Sequence, residues 1–154
     1  MSSVHTDYQP SPDDLVLIAK AEAALPYAYA PYSGFHVASA LLLGNGVIVT
    51  GTNQENAAYP AGMCAERVAL FTAASQYPGE TIRKMVVVAR KQGASQLSPA
   101  TSCGSCRQVM LEFEHRQSQS FEVIMLEQPG RWLHVKSTSA LLPFSFNKSN
   151  LSDT

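Results

Sequence analysis

The sequence predicts an α/β protein, a three-layer α/β/α sandwich around a mixed sheet of about five strands. Helix-like and strand-like segments alternate along it in the order α, two strands, then α-β-α-β-β-α, the pattern of helices packed around one sheet. Lys84 to Arg90, with Met85-Val86-Val87-Val88-Ala89 at its centre, is a continuous apolar run of the kind covered on both faces. The helical segments are rich in alanine, whose small side chain lets a helix lie close on a sheet.

In chain order, Met1 to Gln9 is polar and is expected to be loose. Ser11-Pro12-Asp13-Asp14 supplies an N-cap, a proline at the first helical position and two acids in the first turn. The helix it opens should run through Leu15, Ile18 and Ala19 to about Tyr29, with Pro26 as a break or kink. Ala30 to Gly34 reads as a turn. Phe35 to Leu43 and Val47 to Thr52 are β-type runs around Gly44-Asn45-Gly46, where glycine supplies the positive φ of a hairpin turn. Asn53 to Gly62 is a loop, and a helix follows from about Met63 to Gln76.

After the apolar strand, Lys91 to Ser102 is a loop. The helix from about Gly104 to His115 carries Cys106, Val109, Met110 and Phe113 on one face. Phe121 to Leu126 is a strand, Gln128-Pro129-Gly130 a turn and Trp132 to Lys136 a last strand, before a helical turn near Ala140 and a polar tail. Residues 1–154 should form one domain, with residues 1–10 and 147–154 as flexible tails.

With 45% hydrophobic and 15% charged residues the chain is globular, and so sparse a charge leaves neutral surface for self-association. A net charge of −1, with Lys and Arg scattered, excludes the electrostatic footprint of a nucleic-acid polymer partner. No apolar run is long enough to span a membrane and no secretion leader opens the sequence. Cysteines used at metal spacing fit a cytoplasmic protein.

The three cysteines lie in two segments, Cys64-Ala65-Glu66-Arg67 and Cys103-Gly104-Ser105-Cys106. Three thiolates supply three zinc ligands and leave the fourth tetrahedral position open for water, the layout of a catalytic site. Residues i and i+3 share a helical face, so Cys103 and Cys106 can grip one ion from a first turn. Cys64 and Glu66, two apart, must sit where the chain enters a helix. Two helix N-termini aimed at the ion also favour thiolates. Glu66, beside a ligand but not one itself, is the candidate proton carrier. Read as a redox dithiol, Cys103 and Cys106 leave Cys64 and Glu66 without a role.

Four separated runs then fall in order: Tyr29-Ala30-Pro31-Tyr32-Ser33-Gly34-Phe35, Asn53-Gln54-Glu55-Asn56-Ala57-Ala58-Tyr59, Cys64-Ala65-Glu66-Arg67, and Cys103-Gly104-Ser105-Cys106-Arg107-Gln108-Val109. Together they resemble the small, homotetrameric cytidine deaminases of the three-cysteine zinc type, over nearly the whole chain from about Leu15 to Phe146. The resemblance implies that fold, one zinc ion per chain, and hydrolytic removal of the 4-amino group of cytidine and 2′-deoxycytidine in pyrimidine salvage. It implies that zinc acidifies a bound water and that Glu66 carries its proton to the ring nitrogen and the leaving amine. It further implies that Asn53 and Glu55 hold the ribose hydroxyls, that Phe35 packs on the ring, and that the backbone at Ala65 reads its carbonyl. Arg67 matches the position that hydrogen-bonds the zinc thiolates, and a C-terminal aromatic, Phe144 or Phe146, would reach a neighbouring subunit's site.

Blander readings stand beside these. Asparagine near a strand end is ordinary turn chemistry. Phe35 and Tyr59 could be core aromatics, Phe144 and Phe146 subunit packing. His5, His36, His115 and His134 share no metal spacing with the cysteines and read as surface or satisfied residues. Two other functions compete: deamination of a modified or antibiotic aminopyrimidine nucleoside, and a non-catalytic zinc-stabilised interaction module. One departure from the family pattern is Ser102, where the motif places a proline before the first cysteine of C-x-x-C. Its effect should fall on the loop leading into the site and not on the ligands.

Overall fold

The computed structural model describes residues 3–151. Its strands are β1 (Val4–Tyr8), β2 (Phe35–Leu43), β3 (Ile48–Thr52), β4 (Ile82–Lys91), β5 (Glu122–Gln128) and β6 (Arg131–Val135). Its helices are α1 (Pro12–Ala24), α2 (Ala65–Gln76) and α3 (Gly104–Gln117). The strands form one mixed sheet in the order β1-β6-β5-β4-β2-β3, antiparallel throughout except for the parallel pair β4 and β5.

Alternation along the central strands creates the three layers. Val86 and Val88 of β4, with Ala38, Ala40 and Ile124, face Leu17, Ile18 and Ala21 of α1. Met85 and Val87, with Leu41, Leu43, Val123 and Met125, face Ala69 and Leu70 of α2 and Met110 and Phe113 of α3. The sandwich is therefore as expected, with α1 alone on one side and the two cysteine-bearing helices together on the other.

The sheet has six strands, not about five, because residues 4–8 of the expected loose N-terminus form β1 on the edge of β6. Side chains distant in sequence hold it there. The Tyr8 hydroxyl donates to the buried Asp14 carboxylate at 2.7 Å, and its ring stacks on His134 with centroids 4.4 Å apart. Asp14 also accepts from Lys84 and from the Ser11 backbone, completing the predicted cap. His134 is buried and bonded to Glu122 at 2.7 Å, so it is a satisfied residue.

α1 stops at Ala24, short of the expected Tyr29, because Pro26 brings no N–H, and Leu25–Tyr27 tightens into a 3₁₀ turn. α2 begins at Ala65, not Met63, because Met63 exchanges backbone bonds with Gln54. The hairpin turn falls where predicted, with Gly46 at φ +85°. The apolar strand extends two residues earlier and one later than expected, to Ile82–Lys91. Thr138–Leu141 is the helical turn near Ala140. Of the expected C-terminal tail, Lys148–Asn150 forms a capped 3₁₀ turn, and the Gln108 amide donates to the Phe146 carbonyl at 2.8 Å. Residues 1–2 and 152–154 of the two tails lie outside the described residues.

Candidate metal and active site

Cys64 is the N-cap of α2 and Cys103 the N-cap of α3, both with extended backbone, and Cys106 lies in the first turn of α3. The two helices enter the same region, and the three sulfurs lie within 4.8 Å of one another. Cys64 and Cys103 Sγ are 3.9 Å apart. A tetrahedron with Zn–S bonds of about 2.3 Å has edges of about 3.8 Å, so this cluster fits a zinc ion. No disulfide joins them.

What brings the helices there is partly a glycine. A Cβ at Gly51 of β3 would lie 2.3 Å from Ala69 N and 2.6 Å from Ala65 O. Only a residue without a side chain lets the first turns of α2 rest directly on the strand. Ala65 and Ala69 are themselves fully buried in this contact.

The electrostatics favour thiolate. Arg67 Nη2 donates to Cys64 Sγ at 3.5 Å. Among the protein groups alone, the hydrogen bond from Cys106 and then that from Arg67 hold the Cys64 thiol down at about 5, against the effect of burial. Cys106 is pushed up by its bond to Cys64 and by burial. Arg67 in turn is held more firmly protonated by its bond to Cys64, and its Nε is buried without a partner among the described protein atoms.

Glu66 is only 4% exposed, and burial raises its carboxyl above the ordinary range against hydrogen bonds from its own N–H and the Ser102 hydroxyl. A carboxyl moved toward neutrality beside a metal cluster is suited to taking up and giving back a proton.

Above the cluster opens a cavity of about 650 Å³, lined by Phe35, Asn53, Glu55, Cys64, Ala65, Glu66, Arg67 and Cys103 among others. Every expected substrate-side residue thus lines one cavity with the cluster. Asn53 spends half its amide on the fold: its Oδ1 accepts from Val37 N–H at 2.9 Å and its Nδ2 donates to Phe35 C=O at 2.9 Å. One donor and one lone pair remain. Glu55 accepts from the Tyr32 and Ser33 N–H groups and from the Ser33 hydroxyl, and that hydroxyl bond leads in keeping its carboxyl ionised below the usual range.

Tyr59 also lines the cavity, 76% exposed and edge-on to Tyr32 at 6.0 Å, so it is a rim residue and not a core aromatic. Ser33, which anchors Glu55, escaped the sequence reading because the pairing spans 22 residues. Phe144, 97% exposed, and Phe146 do not line this cavity.

Comparison with known proteins agrees with this geometry. Residues 11–121 match the family described as the cytidine and deoxycytidylate deaminase zinc-binding region. A cytidine deaminase of Sporosarcina psychrophila is 39% identical over 136 residues, covering 88% of this chain and 93% of the relative. One from Halalkalibacterium halodurans is 36% identical over 141 residues, covering 92% and 99%. The crystal structure of a cytidine deaminase from Burkholderia pseudomallei is 40% identical with a TM-score of 0.72, covering 86% of this chain and 98% of that one. With its sandwich, its three-cysteine cluster and these relatives, the chain belongs to the cytidine and deoxycytidylate deaminase family.

Proposed function

We propose that the protein hydrolytically deaminates cytidine and 2′-deoxycytidine to the uracil nucleosides and ammonia, as a zinc enzyme of pyrimidine salvage. The observation that carries this is one cavity lined by Cys64 and Cys103 of three convergent cysteines, by the buried Glu66 and by the polar pair Asn53 and Glu55. Cys64, Cys103 and Cys106 would hold the zinc ion, which when bound would supply Lewis acidity to make a water nucleophilic near neutral pH.

The chain's own groups do the rest. Glu66 takes a proton at its carboxylate, delivers it to the ring nitrogen and then serves the leaving amine. Arg67 offsets the surplus of negative charge that three thiolates bring to a divalent ion. Phe35 packs on the ring and the backbone at Ala65 reads its carbonyl. The free donor and lone pair of Asn53, with the remaining capacity of Glu55, satisfy the ribose hydroxyls. The negative charge of Glu55 disfavours a 5′-phosphate nearby.

The catalytic unit is one domain over the whole chain, and a cytoplasmic place suits its reduced cysteines. Among the described residues no helix is long and apolar enough to cross a membrane. A homotetramer completes the site, with the exposed Phe144 or Phe146 reaching a neighbour's cavity. An ultraviolet assay on cytidine, deoxycytidine, cytosine and cytidine monophosphate, with zinc quantified on the same sample, tests the proposal. The two nucleosides should turn over, with about one zinc per chain. Equal efficiency on cytosine and cytidine would remove the ribose role, and activity confined to a modified nucleoside would reassign the substrate.

A further inference from the structure

The Glu55 carboxylate lines the cavity with most of its acceptor capacity already used. Its Oε2 accepts from the Tyr32 N–H at 2.9 Å and the Ser33 N–H at 3.3 Å, and its Oε1 accepts from the Ser33 hydroxyl. A carboxylate offers about two lone pairs on each oxygen, so a single one, on Oε1, remains for the sugar. The Ser33 hydroxyl sits beside that lone pair, and its direction is fixed. Its oxygen accepts from the Phe35 N–H at 3.0 Å, a group that can only donate. Its one proton therefore goes to Glu55, which when ionised can only accept. One hydroxyl thus ties the backbone of the ring-side residue Phe35 to the sugar-side carboxylate.

The backbone around it is held without that hydroxyl. The Gly34 N–H donates to the Ala30 carbonyl at 3.0 Å, and the Gln92 N–H donates to the Gly34 carbonyl at 2.7 Å. The Glu55 N–H donates to the Tyr29 carbonyl at 2.8 Å, and the Tyr29 N–H to the Asn53 carbonyl at 3.0 Å. Losing the hydroxyl leaves this turn paired with 53–55 and leaves Oε2 on its two N–H donors. What it releases is rotation of the carboxylate about that pivot, which carries Oε1 with it.

We infer that Ser33 is a positioning residue that sets sugar recognition: its hydroxyl fixes Oε1 of Glu55 so that the one free lone pair faces a sugar hydroxyl while Phe35 is held against the base. The inference rests on the deaminase reading of the site. A glutamate side chain has several rotamers open to it, and a bond from a hydroxyl to a charged oxygen is strong enough to select one.

The test uses the zinc-loaded full chain, with cytidine as substrate and uridine and 2′,3′-dideoxyuridine as competitive inhibitors. Ser33→Ala should raise KM for cytidine and weaken uridine about tenfold, with kcat within about twofold and zinc content and thermal midpoint kept. Binding of dideoxyuridine, which has no sugar hydroxyl for Glu55 to accept from, should change less than about twofold. In a Glu55→Ala background the same substitution should cost less than about twofold with cytidine. Ser33→Thr, which keeps the hydroxyl, should restore KM, and Ser33→Val, of the same shape without it, should not. Should Ser33→Ala lose its fold, the Thr and Val pair decides alone. Wild-type KM in Ser33→Ala, equal KM in the Thr and Val variants, equal weakening of uridine and dideoxyuridine, or an undiminished effect in the Glu55→Ala background would overturn the inference. An unchanged KM in Glu55→Ala by itself would instead overturn the ribose role in the underlying reading, so the two failures are distinguishable.

Discussion

Replacing Gly51 with alanine puts a methyl carbon where α2 already lies. The added Cβ would be 2.3 Å from Ala69 N, 2.6 Å from Ala65 O and 2.9 Å from Ala69 Cα. All three are backbone atoms, so no side chain can swing away. Restoring ordinary contact of about 3.5 Å requires the strand and helix to separate by about 1 Å. Overpacking of this kind costs about 1 to 3 kcal/mol, which for a domain of this size lowers the thermal midpoint by roughly 2 to 12 °C. The displaced helix carries Cys64 at its cap and Glu66 in its first turn. Zinc geometry tolerates only about 0.2 Å, and a misplacement of about 1 Å at a reacting centre costs on the order of 10²-fold in rate. Differential scanning calorimetry, zinc content and cytidine turnover should therefore fall together in Gly51→Ala. Gly46→Ala is the control: its φ of +85° strains a side chain, but nothing lies within 4 Å and the hairpin tip is remote from the cluster. It should lose stability and keep kcat. An unchanged midpoint and full turnover in Gly51→Ala would refute the claim that this close approach sets the metal site.

Three further outcomes are expected. Cys103→Ala should lose zinc and activity together, measured by metal analysis on the purified chain, because no other cysteine is present to replace it. Asn53→Ala should cost about 1 to 2 kcal/mol in denaturant unfolding, since it leaves the Val37 N–H and Phe35 C=O unpaired, and should also raise KM for cytidine if the proposed ribose role holds. Asp14 governs acid stability: burial alone would raise its carboxyl, but hydrogen bonds from Lys84, Tyr8 and the Ser11 backbone outweigh this and hold it well below the usual range. Its contribution is complete above about pH 4, the unfolded carboxylate value, and is lost as pH falls toward the folded one. Asp14→Asn should cost about 3 kcal/mol near neutral pH and flatten the decline below pH 4, followed by unfolding at stepped pH.

Where local chemistry determines structure, the sequence was legible. The apolar run Met85 to Ala89 can only be covered on both faces, and Ser11-Pro12-Asp13-Asp14 caps its helix with its own side chains. The cysteine and glutamate spacings require helix entrances, and both cysteine segments are at such entrances. What was hidden depends on partners far along the chain. β1 has a mixed sequence with a left-handed Asp7, and its docking depends on the β6 edge and on Asp14, Lys84 and His134, all supplied by other elements. The second duty of Asn53, bracing the backbone of β2, needs the β2 and β3 register to be seen. Nothing beside Gly51 in the sequence marks its role, which depends on the backbone of Ala65 and Ala69 in α2 lying against it.

In the proposed mechanism zinc on Cys64, Cys103 and Cys106 works with the buried Glu66 as proton carrier. Its most direct test is steady-state cytidine turnover and zinc stoichiometry measured together on the wild type and on Glu66→Gln. Glu66→Gln should keep about one zinc per chain and its fold, because Glu66 is not one of the three thiolate ligands, while kcat falls on the order of 10²-fold or more. Full zinc with near-normal kcat in Glu66→Gln would contradict it.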